Sequence, residues 1–320
     1  MWNQQSAEQR AHLAPIDAAY DPSLCEEDCD ELGWTALQLA ARNGLVSEVQ
    51  KLIEAEPWAV NDAPRGYYGQ TALQAACIRG HGEVVDILLR AGADVHYCGG
   101  NNMQRTALQF ACGQGNRHII CTLLKYGSHV NVPNIALDRI NKASTSLVTR
   151  YNGRTALQAA AERGHLDIVT DLIDLGADIN APPSPNFGRT ALQASAENSF
   201  SHVVRTLLER GANANAPAAK YSGITAIQAA SLHGDVAIID MLIEAGAELK
   251  AEGGSKCDGT PLHAAAEGGQ LEAIKRLVQL GANVNAVAGQ KNELAVRRAL
   301  RKGQITAAKL LQALGGRLEL

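Results

Sequence analysis

No stretch of this sequence approaches the run of about 18 apolar residues needed to span a bilayer, although 46% of its residues are hydrophobic. Charge of one sign is also missing. Charged residues make up 19% and the formal net charge is −4, so no overall basic excess points to nucleic acid. The opening "MWNQQSAEQRAHLAP" lacks a basic region followed by an apolar one and does not read as a secretory signal. Seven cysteines, an odd number, have no metal-ligand spacing; the pair Cys25 and Cys29 has no second pair to complete a zinc site. Free thiols in a reducing compartment are expected, hence a cytoplasmic or alternatively nuclear protein. No P-loop, dinucleotide-binding glycine turn, GxSxG or HExxH occurs. No metal or cofactor is implied.

What is present is repetition. "GRTALQAAAERGH" from Gly153 returns as "GRTALQASAENSF" from Gly188. The threonine of this phrase, or its equivalent, falls at Thr35, Thr71, Thr106, Thr155, Thr190, Thr225 and Thr260, and Leu294 keeps the spacing without the polar opening. Successive threonines lie 36, 35, 49, 35, 35 and 35 residues apart. Such a period marks a stacked repeat array, which makes the chain one elongated domain.

The fourth repeat shows what one unit builds. The Thr155 hydroxyl is a good acceptor for the first-turn amides of a short helix, "ALQAAAER", which Gly164 ends. Ile168, Val169, Leu172 and Ile173 recur at helical spacing in a second helix closed by Gly176. The proline-rich "ADINAPPSPNF" reads as a turn or finger. Two helices and a finger cannot bury their own apolar side, so neighbouring copies must supply the other wall. Small residues such as Ala159, Ala160, Ala194 and Ala229 let the first helices approach closely.

The order Gly-x-Thr-x-Leu, Ala-Ala, Gly-His, Val-Val, Leu-Leu, Gly-Ala-Asp-Val-Asn resembles the ankyrin repeat. It is plainest in "TPLHAAAEGG" from Thr260 and "GHGEVVDILLRAGADV" from Gly80, and covers about residues 33 to 316. The resemblance implies an all-α solenoid with finger loops, built from seven repeats over residues 33–293. Residues 1–32 would form an N-terminal cap or extension and residues 294–320 a C-terminal capping repeat. Two departures, Ala-Leu-Gln in place of Pro-Leu-His and a period near 35, look like the repeats of filamentous-fungal ankyrin proteins. The repeated amides Gln38, Gln74, Gln109, Gln158, Gln193 and Gln228, with His263 in the seventh repeat, read as a ladder tying each helix to finger backbone. His81 and His165, at the glycine-histidine position, are structural by the same logic.

Function in such an array belongs to positions that vary between copies. The resemblance places these in the fingers, just before the capping threonine, and at the end of the first helix, which together form a concave face. Arg105, Arg154 and Arg189 precede three consecutive threonines, with Arg79 and Arg163 at helix ends. Of 13 aromatic residues, Trp34, Tyr151, Phe187 and Tyr221 lie beside these positions. Arginine and aromatics dominate binding hot spots, and arginine grips carboxylates with two prongs. Two plainer readings stand beside this one. The arginines can pair with Glu162 and Glu197, and the finger aromatics can simply pack fingers together. The third unit carries about 14 surplus residues, an insertion at about 131–152 that is either a partner-specific lip or a neutral loop. The acidic "CEEDCDE" from Cys25 lacks EF-hand spacing and reads as a solvated turn.

The sequence therefore leads us to expect a monomeric, non-catalytic module that binds a protein or acidic peptide on its concave face, not nucleic acid or membrane. The alternative is a small-molecule-binding protein or unusual enzyme of a fungal biosynthetic or sensing pathway. There Glu162, Glu197 and His233 would do acid–base work on an anion held by the arginines.

Overall fold

The computed structural model describes residues 33–64, 69–97, 105–131, 154–184, 188–220, 223–250, 258–289 and 292–319. Residues 1–32 and nearly all of the 131–152 insertion lie outside them, as do Tyr151, Phe187 and Tyr221.

Each repeat opens where a threonine in extended conformation turns the chain into a short inner helix. Among the described residues the eight inner helices are α1 (Ala36–Arg42), α3 (Ala72–Arg79), α5 (Ala107–Gln114), α7 (Ala156–Glu162), α9 (Ala191–Glu197), α11 (Ala226–His233), α13 (Pro261–Gly268) and α15 (Ala295–Arg301). An outer helix runs back beside each one: α2 (Val46–Ala55), α4 (Gly82–Arg90), α6 (Arg117–Lys125), α8 (Leu166–Asp174), α10 (Ser201–Glu209), α12 (Val236–Glu244), α14 (Leu271–Gln279) and α16 (Ile305–Ala313). A 3-10 turn at Pro57–Asn61 follows α2. The only strands among the described residues are β1 (Val287–Ala288) and β2 (Glu293–Leu294), which pair antiparallel in the last finger.

Inner helices stack on inner helices along the whole array. Alanine makes this possible, since Ala41, Ala76, Ala111, Ala160, Ala230 and Ala265 are all fully buried between neighbours. Leu88, Leu123, Leu172, Leu207, Leu242 and Leu277 fill the layer between inner and outer helices, also without exposure. Cys77 and Cys112 occupy equivalent places in α3 and α5, and burial pushes both thiols far above their ordinary range. They act as small apolar groups.

The repeated glutamine does what its amide permits. In repeat five, Gln193 Oε1 accepts from Thr190 N at 3.0 Å, and Gln193 N donates to Thr190 Oγ1 at 3.2 Å, closing a capping box. Gln193 Nε2 then donates to the finger carbonyls of Ala216 and Pro217, both at 3.0 Å. Gln38 and Gln158 reach their fingers the same way, and Gln228 Nε2 donates to the Gly259 carbonyl at the entry of repeat seven. In repeat seven His263 takes the place: Nδ1 accepts from Thr260, and Nε2 donates to Glu293 O at 2.9 Å.

A second ladder ties repeats to one another. Asn180 Nδ2 donates to Gly211 O at 3.1 Å, and its Oδ1 accepts from Asn213 N at 2.8 Å. Asn131 makes the same two bonds to Gly176 and Asp178, at 2.7 and 2.8 Å, across the insertion. The helices of repeat four therefore follow those of repeat three in ordinary register, although their threonines are 49 residues apart.

Glycines between the helices serve the stacking. Gly164 has φ +75°, and an added Cβ there would meet the Phe200 ring of the next repeat at 2.7 Å. In repeat five the equivalent residue is Ser199, at φ +59°.

Candidate binding surface

The residue before each capping threonine and the last residues of the inner helix face the same side of the array. The helix is only seven or eight residues long, so a long side chain at its entry can run back along it to its end. Arg189 does this. Its Nε and Nη2 donate to Glu197 Oε2 and Oε1 at 2.5 and 3.1 Å, and the arginine side chain is 5% exposed. Arg154 pairs with Glu162 in repeat four. In the last repeat the signs are exchanged: Arg301 Nη2 and Nε donate to Glu293 Oε1 and Oε2 at 2.6 and 3.2 Å.

Other repeats fill the same two places differently. Trp34 lies under the Arg42 guanidinium, 5.1 Å from its ring centroid, and both residues are buried. The Trp34 Nε1 finds no acceptor. Arg105 has Gly113 at the helix end instead of a carboxylate, and its guanidinium lies 5.7 Å from the Phe110 ring centroid. Repeat six brings Ile224 and Leu232 together as an apolar pair of positions, with Ile224 fully buried.

Repeat seven has Gly259 at the entry, and the next repeat supplies the cation. Arg298, 2% exposed, donates from Nη2 to Asp258 Oδ1 at 2.6 Å and from Nε to Glu293 Oε1 at 2.8 Å, with Glu267 at 3.6 Å. Lys302 reaches the other Glu267 oxygen at 2.5 Å. Burial alone would raise the Glu293 carboxyl, but bonds from Arg301 and Arg298 hold it below the ordinary carboxylate range. Burial, reinforced by the Arg298 charge, lowers His263 despite its bond to the Glu293 carbonyl. The basic side of the C-terminal capping repeat is thus partly interior, because Arg298 joins the last two repeats.

This geometry corrects the expectation that Arg105, Arg154 and Arg189 line an open groove floor as available charge. Arg105 and Arg189 are buried, and Arg154 and Arg189 are held by carboxylates of their own repeats. Exposure begins one residue beyond the helix-end partner. Asn43, Gln114 and Asn198 are exposed there in repeats one, three and five, and Arg79, Arg163 and His233 in repeats two, four and six. Amides therefore alternate with two arginines and a histidine along one solvent-facing edge. The candidate acid–base residues do not form a pair: Glu162 and Glu197 each bond within their own repeat, and His233 stands on the exposed edge. Among the described residues no group of three or more His, Cys, Asp or Glu is placed to hold a metal ion, and no helix is long and apolar enough to cross a membrane. Complementary charges eight residues apart, Arg154 with Glu162, Arg189 with Glu197 and Glu293 with Arg301, are the sequence signal for these contacts.

A family model described as "Ankyrin repeats (3 copies)" matches residues 13–97, 47–134, 97–183 and 181–253. A second, "Ankyrin repeats (many copies)", matches residues 262–312. Among solved structures, the human ASB11 ankyrin repeat domain matches with a TM-score of 0.59 and 23% identity, over 77% of this chain and 97% of that one. That likeness concerns the fold. No curated protein matches the sequence.

Proposed function

The chain belongs to the ankyrin-repeat family, whose repeats are generally protein–protein interaction modules, and on that premise we propose that it is a non-catalytic adaptor taking an extended acidic segment of a partner protein along its inner-helix face. The charge distribution carries this reading. Across the first five repeats, the entry and helix-end positions hold six basic residues, Arg42, Arg79, Arg105, Arg154, Arg163 and Arg189, against Glu162 and Glu197. These positions sum to +4 in a chain of net charge −4. Such a field speeds encounter with an acidic partner and selects against basic ones. The buried ion pairs fix the helix ends, while exposed Arg79 and Arg163 meet carboxylates and the intervening amides meet peptide backbone. Aromatic walls from Tyr151, Phe187 and Tyr221, and a lip from the 131–152 insertion, belong to the same proposal. We place the array in the cytoplasm or nucleus as a monomer without cofactor. Catalysis by Glu162, Glu197 and His233 has less support, since both carboxylates already serve arginines.

The test uses a fluorescein-labelled glutamate- and leucine-rich peptide read by anisotropy. Arg79→Ala and Arg163→Ala should each weaken binding by about 1 kcal/mol, with a slope that steepens at low salt. Unchanged affinity in the double variant would remove the inner-helix edge as the site. Alanine at Arg189 or Arg154 is the poorer probe because it leaves Glu197 or Glu162 without its ion-pair partner.

A further inference from the structure

Resting on the proposal above, we infer that the acidic stretch from Glu26 to Glu31 docks on the basic inner-helix edge at Arg79, where it competes with an acidic partner. The first 32 residues hold eight acidic residues and one basic, a net charge of −7, so residues 33–320 carry +3. The charge of the whole chain hides two opposed parts. Five of the eight carboxylates fall between Glu26 and Glu31, and the chain then enters repeat one at Gly33 and Trp34. Acidic segment and basic edge are therefore neighbours in sequence as well as opposite in charge.

The reach selects one arginine. From Gly33, the path follows an inner helix for its seven residues at about 1.5 Å each and crosses one repeat, about 10 Å, to Arg79. That diagonal is about 15 Å, or about five extended residues at roughly 3.3 Å. Five residues before Gly33 stands Asp28, in the middle of the acidic stretch. Arg163 lies three repeats along, about 30 Å away, and needs about ten extended residues, which overshoots the carboxylates. Arg79 is exposed, so carboxylates can approach it without displacing a buried partner. Exposed charge pairs are individually weak, but tethering raises their effective concentration into the millimolar range. A segment held this way lowers the apparent affinity for an external acidic ligand without blocking it.

The experiment has two arms, both on the full chain. In the first, Arg79→Lys and Arg163→Lys variants are treated with a water-soluble carbodiimide at low salt, and tryptic peptides are mapped by mass spectrometry. An amide between position 79 and a carboxyl of residues 26–31, lost at high salt and missing for position 163, is the expected result. In the second, Glu26→Gln, Glu27→Gln and Asp28→Asn are combined, and affinity for the labelled glutamate–leucine probe is measured. It should rise several-fold, because three carboxylates are removed from around the exposed Arg79. Equal cross-linking at positions 79 and 163, or none at either, together with unchanged probe affinity, overturns the inference. If the probe still binds in that case, the basic edge stands as a partner site. A cross-link at position 79 in a chain that binds no probe upholds the docking and removes the acidic-partner reading instead.

Discussion

Arg189 and Glu197 stand eight residues apart in one repeat and close a two-pronged ion pair whose arginine is almost wholly buried. Breaking such a pair from one side strands a charge in a low-dielectric setting. Glu197→Ala should cost about 2–4 kcal/mol, discounted for the part-exposed carboxylate. Replacing both residues with apolar ones of similar size, Arg189→Met with Glu197→Leu, should cost much less than the two single changes added together. Urea melts of the four chains form the double-mutant cycle; additive losses would show that the two side chains do not depend on each other.

Gln193 ties three backbone groups at once, one at the helix entry and two in the finger. Gln193→Leu keeps the volume and strands those partners. A loss of about 2–3 kcal/mol is expected, with amide exchange accelerated at Thr190. Normal protection of that amide would mean that the side chain does not carry the finger.

Ser199 holds the left-handed conformation that glycine takes in the other repeats. At the place where repeat five puts the Phe200 ring, the next repeat has the smaller Asp235, which accepts from Ile238 N of its own helix at 3.1 Å. Ser199→Gly should stabilise the chain by about 1 kcal/mol, since the left-handed penalty on a side-chain-bearing residue disappears. A lowered melting temperature would contradict the strain.

The joint between the last two repeats should respond to acid in two steps. His263 has a lowered folded-state pKa because burial disfavours its charged form, so its contribution is complete above the unfolded value of 6.5 and fades as pH falls below it. Glu293 also has a lowered folded-state value, because its arginine bonds outweigh burial. Its contribution is complete above its ordinary 4.5 and is lost as pH drops further, through the folded value. His263→Gln restores the residue used in the first six repeats, and should flatten the stability profile between about pH 7 and 5 while leaving the lower step. Melting temperatures across that range would settle it; a His263→Gln chain with the parent's slope would place the titration elsewhere.

The architecture was legible because each repeat restates the same capping threonine, amide and alanines, and a period survives any uncertainty about a single helix. The Gln ladder followed from the same repetition. What the sequence did not show was the side-chain depth of Arg105 and Arg189. Arginine's long apolar stem lets it lie along a short helix with its head on a carboxylate or an aromatic ring, so burial there depends on pairing rather than on polarity. The exchange of signs between Arg189–Glu197 and Glu293–Arg301 already contained that pairing. Arg298 was harder to place, since Asp258 and Glu267, two of its three partners, lie 40 and 31 residues away in the preceding repeat.

The unbroken register between repeats three and four means that the residues linking Asn131 to Arg154 add nothing to the pitch of the stack. Repeats three and four are held at that point by the Asn131 clasp on Gly176 and Asp178 and by helix packing, whatever the length of chain between them.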